Sequence, residues 1–368
     1  MISNPRTLFI AAIGMAAASV TCAQAEILIA TAGPMTGQYA WFGEQYARGA
    51  EMAVDDINAA GGVLGETVRI IIGDDACDPE QAVAVADSLA NDGVVFVAGH
   101  YCSHSSIPAS KVYEQAGILM ISPSSTNPKL TDEGGPNVFR VCGRDDLQGT
   151  VAGDYLTDHW GDKKIAILHD QTTYGLGLAE ETRKRLNERG VAEAMFEAYE
   201  PGQRDYSALI SKMQSAGIDV FYVGGYSTEA ALILRQARLG GYDAQLISGD
   251  ALATDEFWMI TGPAGEGARM TFFPDPRSNP GAAEVVERFR ASYFEPVGYT
   301  LFAYGAVQVW AQAIEKAGTL ELDAVIEALQ SHQFDTVLGQ ISFDEKGDIT
   351  TPGFVWYVWK NGAYVLVE

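Results

Sequence analysis

The sequence predicts an α/β fold built from two doubly wound, parallel-sheet lobes. Short apolar runs alternate with helical patterns along most of the 368 residues, which is typical of parallel strands joined by helices. The alternation falls into two similar series, one before and one after about residue 145. Each series is large enough to bury a core of its own, and the chain exceeds the length of one ordinary domain.

The first series begins at a predicted strand, Ile27–Thr31, and ends at another, Val138–Val141. Between them lie the predicted helices Glu44–Ala60, Pro79–Asn91 and Ser105–Ala116 and the predicted strands Val68–Ile72, Val94–Ala98 and Ile118–Ile121. Pro79 suits the first turn of a helix, and the pair Gly61-Gly62 marks a helix end. We expect these strands to form one parallel sheet.

The second series repeats this pattern with its own elements. They are the helices Leu147–Trp160, Leu176–Arg189, Tyr206–Ala216 and Thr228–Leu239 and the strands Lys164–Leu168, Ala194–Tyr199, Val220–Val223 and Gln245–Ser248. We expect a second parallel sheet here, although the two series share no detectable sequence repeat.

The C-terminal part of the chain breaks the alternation. Its predicted elements are the strand Arg269–Phe273, the helices Ala282–Phe294, Thr300–Ala317 and Leu322–Ser331, an antiparallel pair Phe334–Leu338 with Ile341–Phe343, and the strands Val355–Trp359 and Tyr364–Val367. Asn361-Gly362 between the last two strands is a strong hairpin signal. Because no low-complexity linker separates the series, we expect this part to complete both lobes by crossing between them, which favours hinge closure around a ligand.

The first 25 residues have the pattern of a secretory signal peptide. Arg6 is their only charge, Leu8–Val20 is apolar, and Ala23-Gln24-Ala25 is a small-x-small cleavage site. The apolar run is too short to span a membrane. Cys22 raises a lipoprotein alternative, but the residues before it make a poor lipobox, so we expect cleavage near Ala25 and a soluble exported chain.

The charge of the chain narrows its range of partners. The formal net charge is −24, with 48 acidic residues against 24 basic ones. Such a chain repels nucleic acid and anionic membrane surfaces, and no cluster of lysine and arginine opposes this. We therefore expect no nucleic-acid partner and no membrane-surface binding.

Three cysteines remain after cleavage, namely Cys77, Cys102 and Cys142. Export permits a disulfide. Cys77 and Cys102 each follow a predicted strand, and the two strands are separated by one helix. Consecutive parallel strands often lie side by side, so we favour a Cys77–Cys102 disulfide. Cys142 is then expected to be a buried free thiol.

Polar clusters follow three strands of the first series. They are Asp74–Pro79, Gly99–Ser106 and Ile121–Thr126, and two of them are rich in small hydroxyl side chains. Open α/β sheets bind ligands at the carboxyl ends of their strands. Hydroxyl groups beside helix N-termini suit a small carboxylate, although the same residues are also explained as helix caps and turn residues.

Taken together, these motifs resemble the periplasmic leucine/isoleucine/valine-binding proteins of amino-acid ABC transporters. The resemblance covers essentially the whole chain after the signal peptide. It is carried by Gly33-Pro34-Met35-Thr36-Gly37, by Asp55-Asp56-Ile57-Asn58-Ala59-Ala60-Gly61-Gly62, by Asp74-Asp75-Ala76-Cys77-Asp78-Pro79, by Gly99-His100-Tyr101-Cys102-Ser103, by His169-Asp170 with Tyr174-Gly175, by Gly224-Gly225-Tyr226, and by Asp344-Glu345-Lys346-Gly347-Asp348.

The resemblance implies the type I periplasmic binding protein fold, in which two lobes are joined by three hinge crossings. Lobe 1 would contain residues 26–144 and about 274–350, and lobe 2 residues 145–273 and about 351–368. It also implies a periplasmic location, a disulfide between Cys77 and Cys102, and permease and ATPase subunits as partners. The ligand would be a branched-chain or small neutral amino acid, and we expect a monomer without a cofactor.

The resemblance also assigns roles to polar residues. Ser103 and Thr126 match hydroxyl residues that bind the ligand carboxylate, and the carbonyl of Ser124 matches one that accepts from the ammonium. Asp250 matches an acidic position that pairs with the ammonium, since an unpaired buried charge is costly. Members of the family carry Glu there, so the shorter Asp250 is a departure that could admit a longer spacing between amine and carboxylate.

Aromatic residues at matching positions imply the wall of a side-chain pocket. They are Phe42, Tyr101, Tyr174, Tyr226 and Tyr299. Tyr101 is bulkier than the aliphatic residue expected there, and Trp41 beside Phe42 is unusual. Both would shrink the pocket, so we expect a preference for valine, alanine, proline or a short ω-amino acid such as γ-aminobutyrate over leucine.

Other classes of protein are less well supported by the residues. His100, Cys102 and His104 resemble a metal cluster, but a disulfide would remove Cys102 as a thiolate ligand. No Gly-x-Ser-x-Gly motif, Walker loop or dinucleotide fingerprint is present, so we expect no catalytic residues. A sensory binding protein that presents its ligand to a receptor remains an alternative to a transport component.

Overall fold

One parallel sheet and one mainly parallel sheet organise the computed structural model, which describes Met1 and residues 26–351 and 353–367. The first sheet has the order β2-β1-β3-β4-β5, and every pairing in it is parallel. Its strands are β1 (Glu26–Gly33), β2 (Thr67–Asp74), β3 (Phe96–Gly99), β4 (Leu119–Ser122) and β5 (Val138–Arg140). The predicted signal peptide and its cleavage site near Ala25 lie outside the described residues.

The second sheet has seven strands in the order β14-β13-β10-β9-β8-β6-β7. They are β6 (Ile165–His169), β7 (Met195–Ala198), β8 (Val220–Gly224), β9 (Gln245–Ser248), β10 (Arg269–Phe272), β13 (Val355–Lys360) and β14 (Ala363–Leu366). β13 and β14 are antiparallel and form one edge, which confirms the predicted C-terminal hairpin. A separate antiparallel pair consists of β11 (Phe334–Thr336) and β12 (Gly339–Ile341).

Helices cover the sheets. They are α1 (Ala40–Ala59), α2 (Pro79–Asn91), α3 (Ser103–Ala116), α4 (Lys129–Asp132), α5 (Asp145–Trp160), α6 (Thr173–Glu188), α7 (Ser207–Ala216), α8 (Ser227–Leu239), α9 (Asp255–Thr261), α10 (Ala283–Ala291), α11 (Thr300–Ala317) and α12 (Leu322–Ser331). None of the helices in the described ranges is long and apolar enough to cross a membrane.

Four apolar runs of the sequence become strands that are buried on both faces. All residues of β3, β4, β6 and β8 are buried, as expected for strands covered by helices on both sides of a parallel sheet. The prediction of two parallel-sheet lobes is therefore confirmed. The chain passes between the sheets three times: after β5, after β10, and before β13. Between the last two passages, α11 packs against α1 of the first half.

Several predicted boundaries are wrong for identifiable reasons. α10 ends at Ala291 rather than Phe294, because Tyr293 takes a positive φ of 60° that a right-handed helix excludes. β12 lies at Gly339–Ile341 rather than Ile341–Phe343, since Phe343 instead pairs with Ile349 across a tight turn. The short helices α4 and α9 were not predicted, because their periodic patterns are too brief to be recognised.

The start of α1 is the clearest difference between expectation and structure. The helix begins at Ala40 and not at Glu44, so Gly43 lies inside its first turns. A Cβ atom at Gly43 would lie only 2.2 Å from the carbonyl oxygen of Pro34. Glycine is therefore present for close packing against the loop that follows β1, and not because the chain turns there.

We expect Gly43→Ala to lower the free energy of unfolding by about 1–3 kcal/mol, because the added methyl group must displace the Pro34 backbone. Urea unfolding of both proteins measures this difference. The control is Gly240→Ala, where the nearest atoms to the new methyl group lie 3.4 Å away, and we expect a change within about 0.5 kcal/mol. Equal stability of Gly43→Ala and the unchanged protein would contradict the packing argument.

Candidate functional site

A small enclosed cavity lies between the carboxyl ends of the two sheets. Its volume is about 10 Å³, and its lining residues are Tyr101, Ser103, Ser124, Tyr174, Tyr226, Asp250, Ala251 and Tyr299. The first three follow strands of the first sheet, and four of the others follow β6, β8 and β9 of the second sheet. The site thus occupies the position at which open α/β sheets bind ligands. A cavity of this volume holds about one water molecule, so a larger ligand can enter only when the two halves separate.

Hydroxyl and backbone N–H groups dominate the side of the cavity formed by the first sheet. Ser103 is the first residue of the 14-residue helix α3, whose first backbone N–H groups have no partner within the helix. The Ser103 hydroxyl accepts a hydrogen bond from the backbone N–H of Asn127 (3.3 Å). The Ser124 hydroxyl donates to the carbonyl oxygen of Tyr101 (3.1 Å). This side can therefore donate hydrogen bonds to an anion without carrying a net positive charge.

Thr126 lies deeper than the two serines. Its side chain is fully buried, and it is not among the residues that line the cavity. The Thr126 carbonyl accepts from the backbone N–H of Asp145 (2.9 Å). Asp145 is also fully buried, and its pKa is raised well above the usual range by burial and by the charge of Asp250. Sequence reasoning missed Asp145, since an acidic residue in a first helical turn is ordinary.

A buried carboxylate dominates the other side of the cavity. Asp250 is 2% exposed. Its Oδ1 accepts from the Tyr174 hydroxyl (2.8 Å), and its Oδ2 accepts from the Tyr299 hydroxyl. Burial raises the pKa of Asp250, whereas the two tyrosine hydrogen bonds oppose that rise. Among the described residues, no lysine, arginine or histidine forms an ion pair with it.

Four tyrosine rings surround the cavity. The ring of Tyr101 lies 5.6 Å from that of Tyr299 and 6.0 Å from that of Tyr226, and the rings of Tyr226 and Tyr174 are 5.1 Å apart. Phe42 does not reach the cavity but stacks behind Tyr101, with ring centres 4.2 Å apart. The aromatic wall is therefore two layers deep at Tyr101.

The expectation that Trp41 narrows the pocket is wrong. Trp41 is 41% exposed and is not among the residues that line the cavity. It follows the start of α1 and immediately precedes Phe42. Successive helical residues point about 100° apart, so the two side chains cannot both face the cleft.

Polar contacts also join the two halves directly across the cleft. The Gln38 side chain donates to Glu229 Oε1 (2.5 Å), which also accepts from the backbone N–H of Gly202 (2.9 Å). The Asn127 side chain donates to the carbonyl oxygen of Thr173 (2.8 Å). Sequence reasoning missed these contacts, because each joins a loop residue to a distant segment and has no local pattern.

The Cys77–Cys102 disulfide is present, with the two Cα atoms 5.6 Å apart. It joins the loops after β2 and β3, as predicted, but these strands are not side by side, because β1 lies between them. Its second cysteine immediately precedes Ser103. The free Cys142 is buried, and burial raises the pKa of its thiol. The disulfide thus holds the residues on both sides of Cys102, which belong to the cavity lining.

The histidines beside the disulfide have partners other than a metal. His100 Nδ1 lies 2.6 Å from Asp75 Oδ2, and His100 Nε2 lies 2.8 Å from the Tyr113 hydroxyl. His104 Nε2 lies 2.8 Å from the carbonyl oxygen of Cys77. The described ranges contain no group of three or more potential metal ligands with suitable geometry.

A family model described as a periplasmic binding protein matches residues 26–363. The chain belongs to this family of periplasmic binding proteins. Members of the family bind solutes and are not enzymes. The chain is similar to "Leu/Ile/Val-binding protein homolog 1" of Brucella suis, with 51% identity over 93% of this chain and 92% of the relative. It is also similar to a leucine-, isoleucine-, valine-, threonine- and alanine-binding protein of Pseudomonas aeruginosa, with 44% identity over 94% and 93% of the two chains.

Solved structures of periplasmic binding proteins have the same architecture. A leucine-binding protein of Thermotoga maritima superposes with a TM-score of 0.85 and 29% identity, covering 93% of this chain and 98% of that one. A branched-chain amino-acid binding protein of Streptococcus pneumoniae, solved with isoleucine, has a TM-score of 0.83 and 26% identity, covering 93% and 99%. The expected family and type I fold are therefore confirmed.

A second buried carboxylate, Asp170, lies just after β6. It is 1% exposed, and its Oδ1 accepts from the backbone N–H and the hydroxyl of Thr172 (2.9 and 2.7 Å). Burial raises its pKa to about 7, and the negative charge of Glu229 adds to the rise. Asp170 is thus protonated in the folded chain over a pH range in which the unfolded chain has lost this proton.

This difference predicts a stability that falls as the pH rises from about 4 to about 7, the interval between the unfolded and folded pKa values of Asp170. We expect Asp170→Asn to be more stable than the unchanged protein at pH 8, by roughly 2–4 kcal/mol, and the difference to vanish near pH 4. Urea unfolding at several pH values measures it.

The control is Asp205→Asn. Hydrogen bonds from Ser207 lower the pKa of Asp205, so this substitution should not increase stability at pH 8. If the free energy of unfolding changes with pH in the same way in Asp170→Asn and in the unchanged protein, Asp170 is not the cause of the pH dependence.

Proposed function

We propose that this protein is the periplasmic solute-binding component of an amino-acid ABC transport system. It binds a branched-chain or small neutral amino acid in the cleft between two lobes. The observation that carries the proposal is one cavity in which helix-terminal and hydroxyl donors face a buried carboxylate that lacks a cationic partner among the described residues. The similar proteins named for leucine, isoleucine and valine support the same class of ligand.

In this proposal the ligand is held at its two charged groups. Its carboxylate accepts hydrogen bonds from Ser103, from the N-terminus of α3, and from Thr126 after small movements of the loop. Its ammonium donates to the carbonyl oxygen of Ser124 and pairs with Asp250. An ammonium ion compensates the buried charge of Asp250, whereas a neutral ligand would leave that charge unpaired.

In the proposal, each lobe is built around one of the two sheets. Lobe 1 contains residues 26–144 and about 274–350, and lobe 2 contains residues 145–273 and about 351–368. Ser103, Ser124 and Thr126 bind first from lobe 1. Tyr174, Tyr226 and Asp250 then engage from lobe 2, so the ligand contacts more groups in the closed form and shifts the population toward it.

In this proposal the transport partners recognise the closed form of the protein. A membrane permease with its ATPase subunits would dock on the closed form, whose lobes are held together by the ligand and by the contacts of Gln38 with Glu229 and of Asn127 with Thr173. We infer that the protein acts as a monomer and that export removes the residues up to about Ala25.

Binding assays on protein stripped of ligand test this proposal. Isothermal titration should show valine and alanine binding about tenfold or more tightly than leucine, a difference of about 1.4 kcal/mol, because four tyrosine rings restrict the cavity. γ-Aminobutyrate should be titrated as well, because the short side chain of Asp250 could admit a ligand with a longer spacing between amine and carboxylate. Nanomolar leucine binding would overturn the expected small-ligand preference, and no binding of any amino acid would overturn the proposed function.

The variant Asp250→Asn tests whether the amino acid binds in the cleft. The amide keeps an acceptor for Tyr174 but loses the charge opposite the ammonium. We expect the affinity for valine to fall about 30-fold or more, corresponding to at least about 2 kcal/mol. Asp205→Asn on the surface of the second lobe is the control and should bind normally.

Tyr101 should control the size of the accepted side chain. Tyr101→Leu removes a ring from the cavity wall, so we expect the affinity for leucine to rise about tenfold relative to that for alanine. Trp41→Ala is the matched control, because its exposed ring is absent from the lining and the leucine-to-alanine ratio should not change. An unchanged ratio in Tyr101→Leu would exclude Tyr101 as the determinant of size.

A further inference from the structure

Arg140 is a fully buried guanidinium beneath the loop that carries Ser124 and Thr126. It is the last residue of β5. Its Nη1 atom donates to the carbonyl oxygens of Ser125 (2.8 Å) and Asn127 (3.1 Å). These two carbonyls flank Thr126 in sequence. One rigid group therefore determines where the backbone lies around Thr126, which together with Ser103 and Ser124 forms the proposed amino-acid clamp.

The remaining donors of Arg140 reach Asp348, in the part of the chain that leads into the third passage between the sheets, and Thr131 in α4. Nε donates to Asp348 Oδ1 (2.5 Å), and Nη2 donates to the Thr131 hydroxyl (2.5 Å). Arg144, at the first passage, donates to the other carboxylate oxygen of Asp348 (2.8 Å). Asp348 is itself 4% exposed. Two of the three passages therefore meet at one buried carboxylate.

The turn that carries Asp348 cannot shift independently of β5. The backbone N–H of Arg140 donates to the carbonyl oxygen of Gly347 (3.0 Å). A Cβ atom at Gly347 would lie 2.2 Å from the carbonyl oxygen of Val138, so the turn is packed directly on the strand. A displacement of this turn is consequently passed to Arg140 through both backbone and side chain.

Stability alone is a weak explanation for such a cluster. A buried ion pair recovers little more than the cost of removing its charges from water, and apolar replacements are often as stable. Arginine nevertheless offers a planar set of five donors, which can hold two carbonyls and a carboxylate in a defined arrangement. Because these donors bind both the carbonyls of Ser125 and Asn127 and the carboxylate of Asp348, a role in positioning the backbone around Thr126 explains the cluster better.

We infer that Arg140 is a positioning residue that couples the hinge, through Asp348, to the amino-acid clamp. This inference rests on the proposed function for the identity of the clamp. It makes the geometry of the Ser125–Asn127 backbone depend on the position of the Asp348 turn. Hinge closure and a correctly shaped carboxylate site then occur together.

The variant Arg140→Lys tests this positioning role. Lysine keeps a positive charge, but its single ammonium cannot bind Asp348 and both carbonyls in the same arrangement, because Arg140 contacts Asp348 through Nε and the carbonyls of Ser125 and Asn127 through Nη1. We expect the dissociation constant for valine to rise about tenfold or more, as is typical when a supporting group of a binding site is removed. The matched control is Arg185→Lys, which alters a two-contact Arg185–Asp154 pair between α5 and α6 and should leave the affinity within about twofold.

Amide hydrogen exchange provides a readout that needs no ligand. The backbone N–H groups of Ser125 and Asn127 are bound by Ser122 Oγ (2.9 Å) and Ser103 Oγ (3.3 Å). In Arg140→Lys we expect both amides to exchange about tenfold faster or more, while that of Met120 in β4 is unchanged. A purely structural role would speed exchange in β4 as well.

Asp348→Asn is the second variant and loosens the same connection from the hinge side. It should likewise raise the dissociation constant for valine and speed amide exchange at Ser125 and Asn127. These two measurements test the inference if Arg140→Lys does not fold. Unchanged exchange at Ser125 and Asn127, or a valine affinity within about twofold of the unchanged protein, overturns the inference. If the unchanged protein binds no amino acid, the proposed function fails, whereas the exchange measurement still decides the positioning role.

Discussion

The burial of Asp250 without a cationic partner is the interaction on which the cleft depends. Its carboxylate is held by hydroxyl groups of Tyr174 and Tyr299 and lies at 2% exposure. Neutral donors compensate part of the cost of removing a carboxylate from water, but an opposite charge compensates more of it. Tyr174 belongs to α6, whereas Tyr299 immediately precedes α11, which packs on α1. One carboxylate therefore joins both halves of the molecule, and in the proposed function it pairs with the ammonium of the ligand.

Opposite Asp250, the first sheet supplies hydrogen-bond donors that could bind the carboxylate of the proposed ligand. The N-terminus of α3 and the hydroxyl of Ser103, which accepts from Asn127 and so keeps its own proton free, form a neutral donor surface. The Cys77–Cys102 disulfide and the contacts of His100 hold the preceding loop in place. Because a disulfide and buried hydrogen bonds restrict this loop before any ligand arrives, little ordering cost remains for binding. The donor surface and Asp250 together fit a zwitterion better than an ion of either sign alone.

Closure and recognition depend on the same connections. The cavity of about 10 Å³ is completed by residues from both sheets, so neither half is a binding site alone. Polar contacts of Gln38 with Glu229 and of Asn127 with Thr173 hold the two halves together, and in the proposed function an amino acid adds contacts to both halves. Arg140 and Asp348, by our inference, extend this dependence to the backbone of the proposed clamp. A ligand that does not fit the clamp therefore also gains little from closure.

The sequence by itself determined the features that depend on neighbouring residues. The helices Thr300–Ala317 and Leu322–Ser331 and the hairpin at Asn361-Gly362 follow from periodicity and turn chemistry. The predicted Cys77–Cys102 pairing is correct, but the expected adjacency of the two preceding strands is not, because β1 lies between β2 and β3. Only the tertiary structure decided features that depend on residues far apart in the chain. It placed Phe42 behind Tyr101, Trp41 at the surface and Arg140 beneath Thr126. Packing between distant segments has no local signature, since its energy arises only after the sheets have formed.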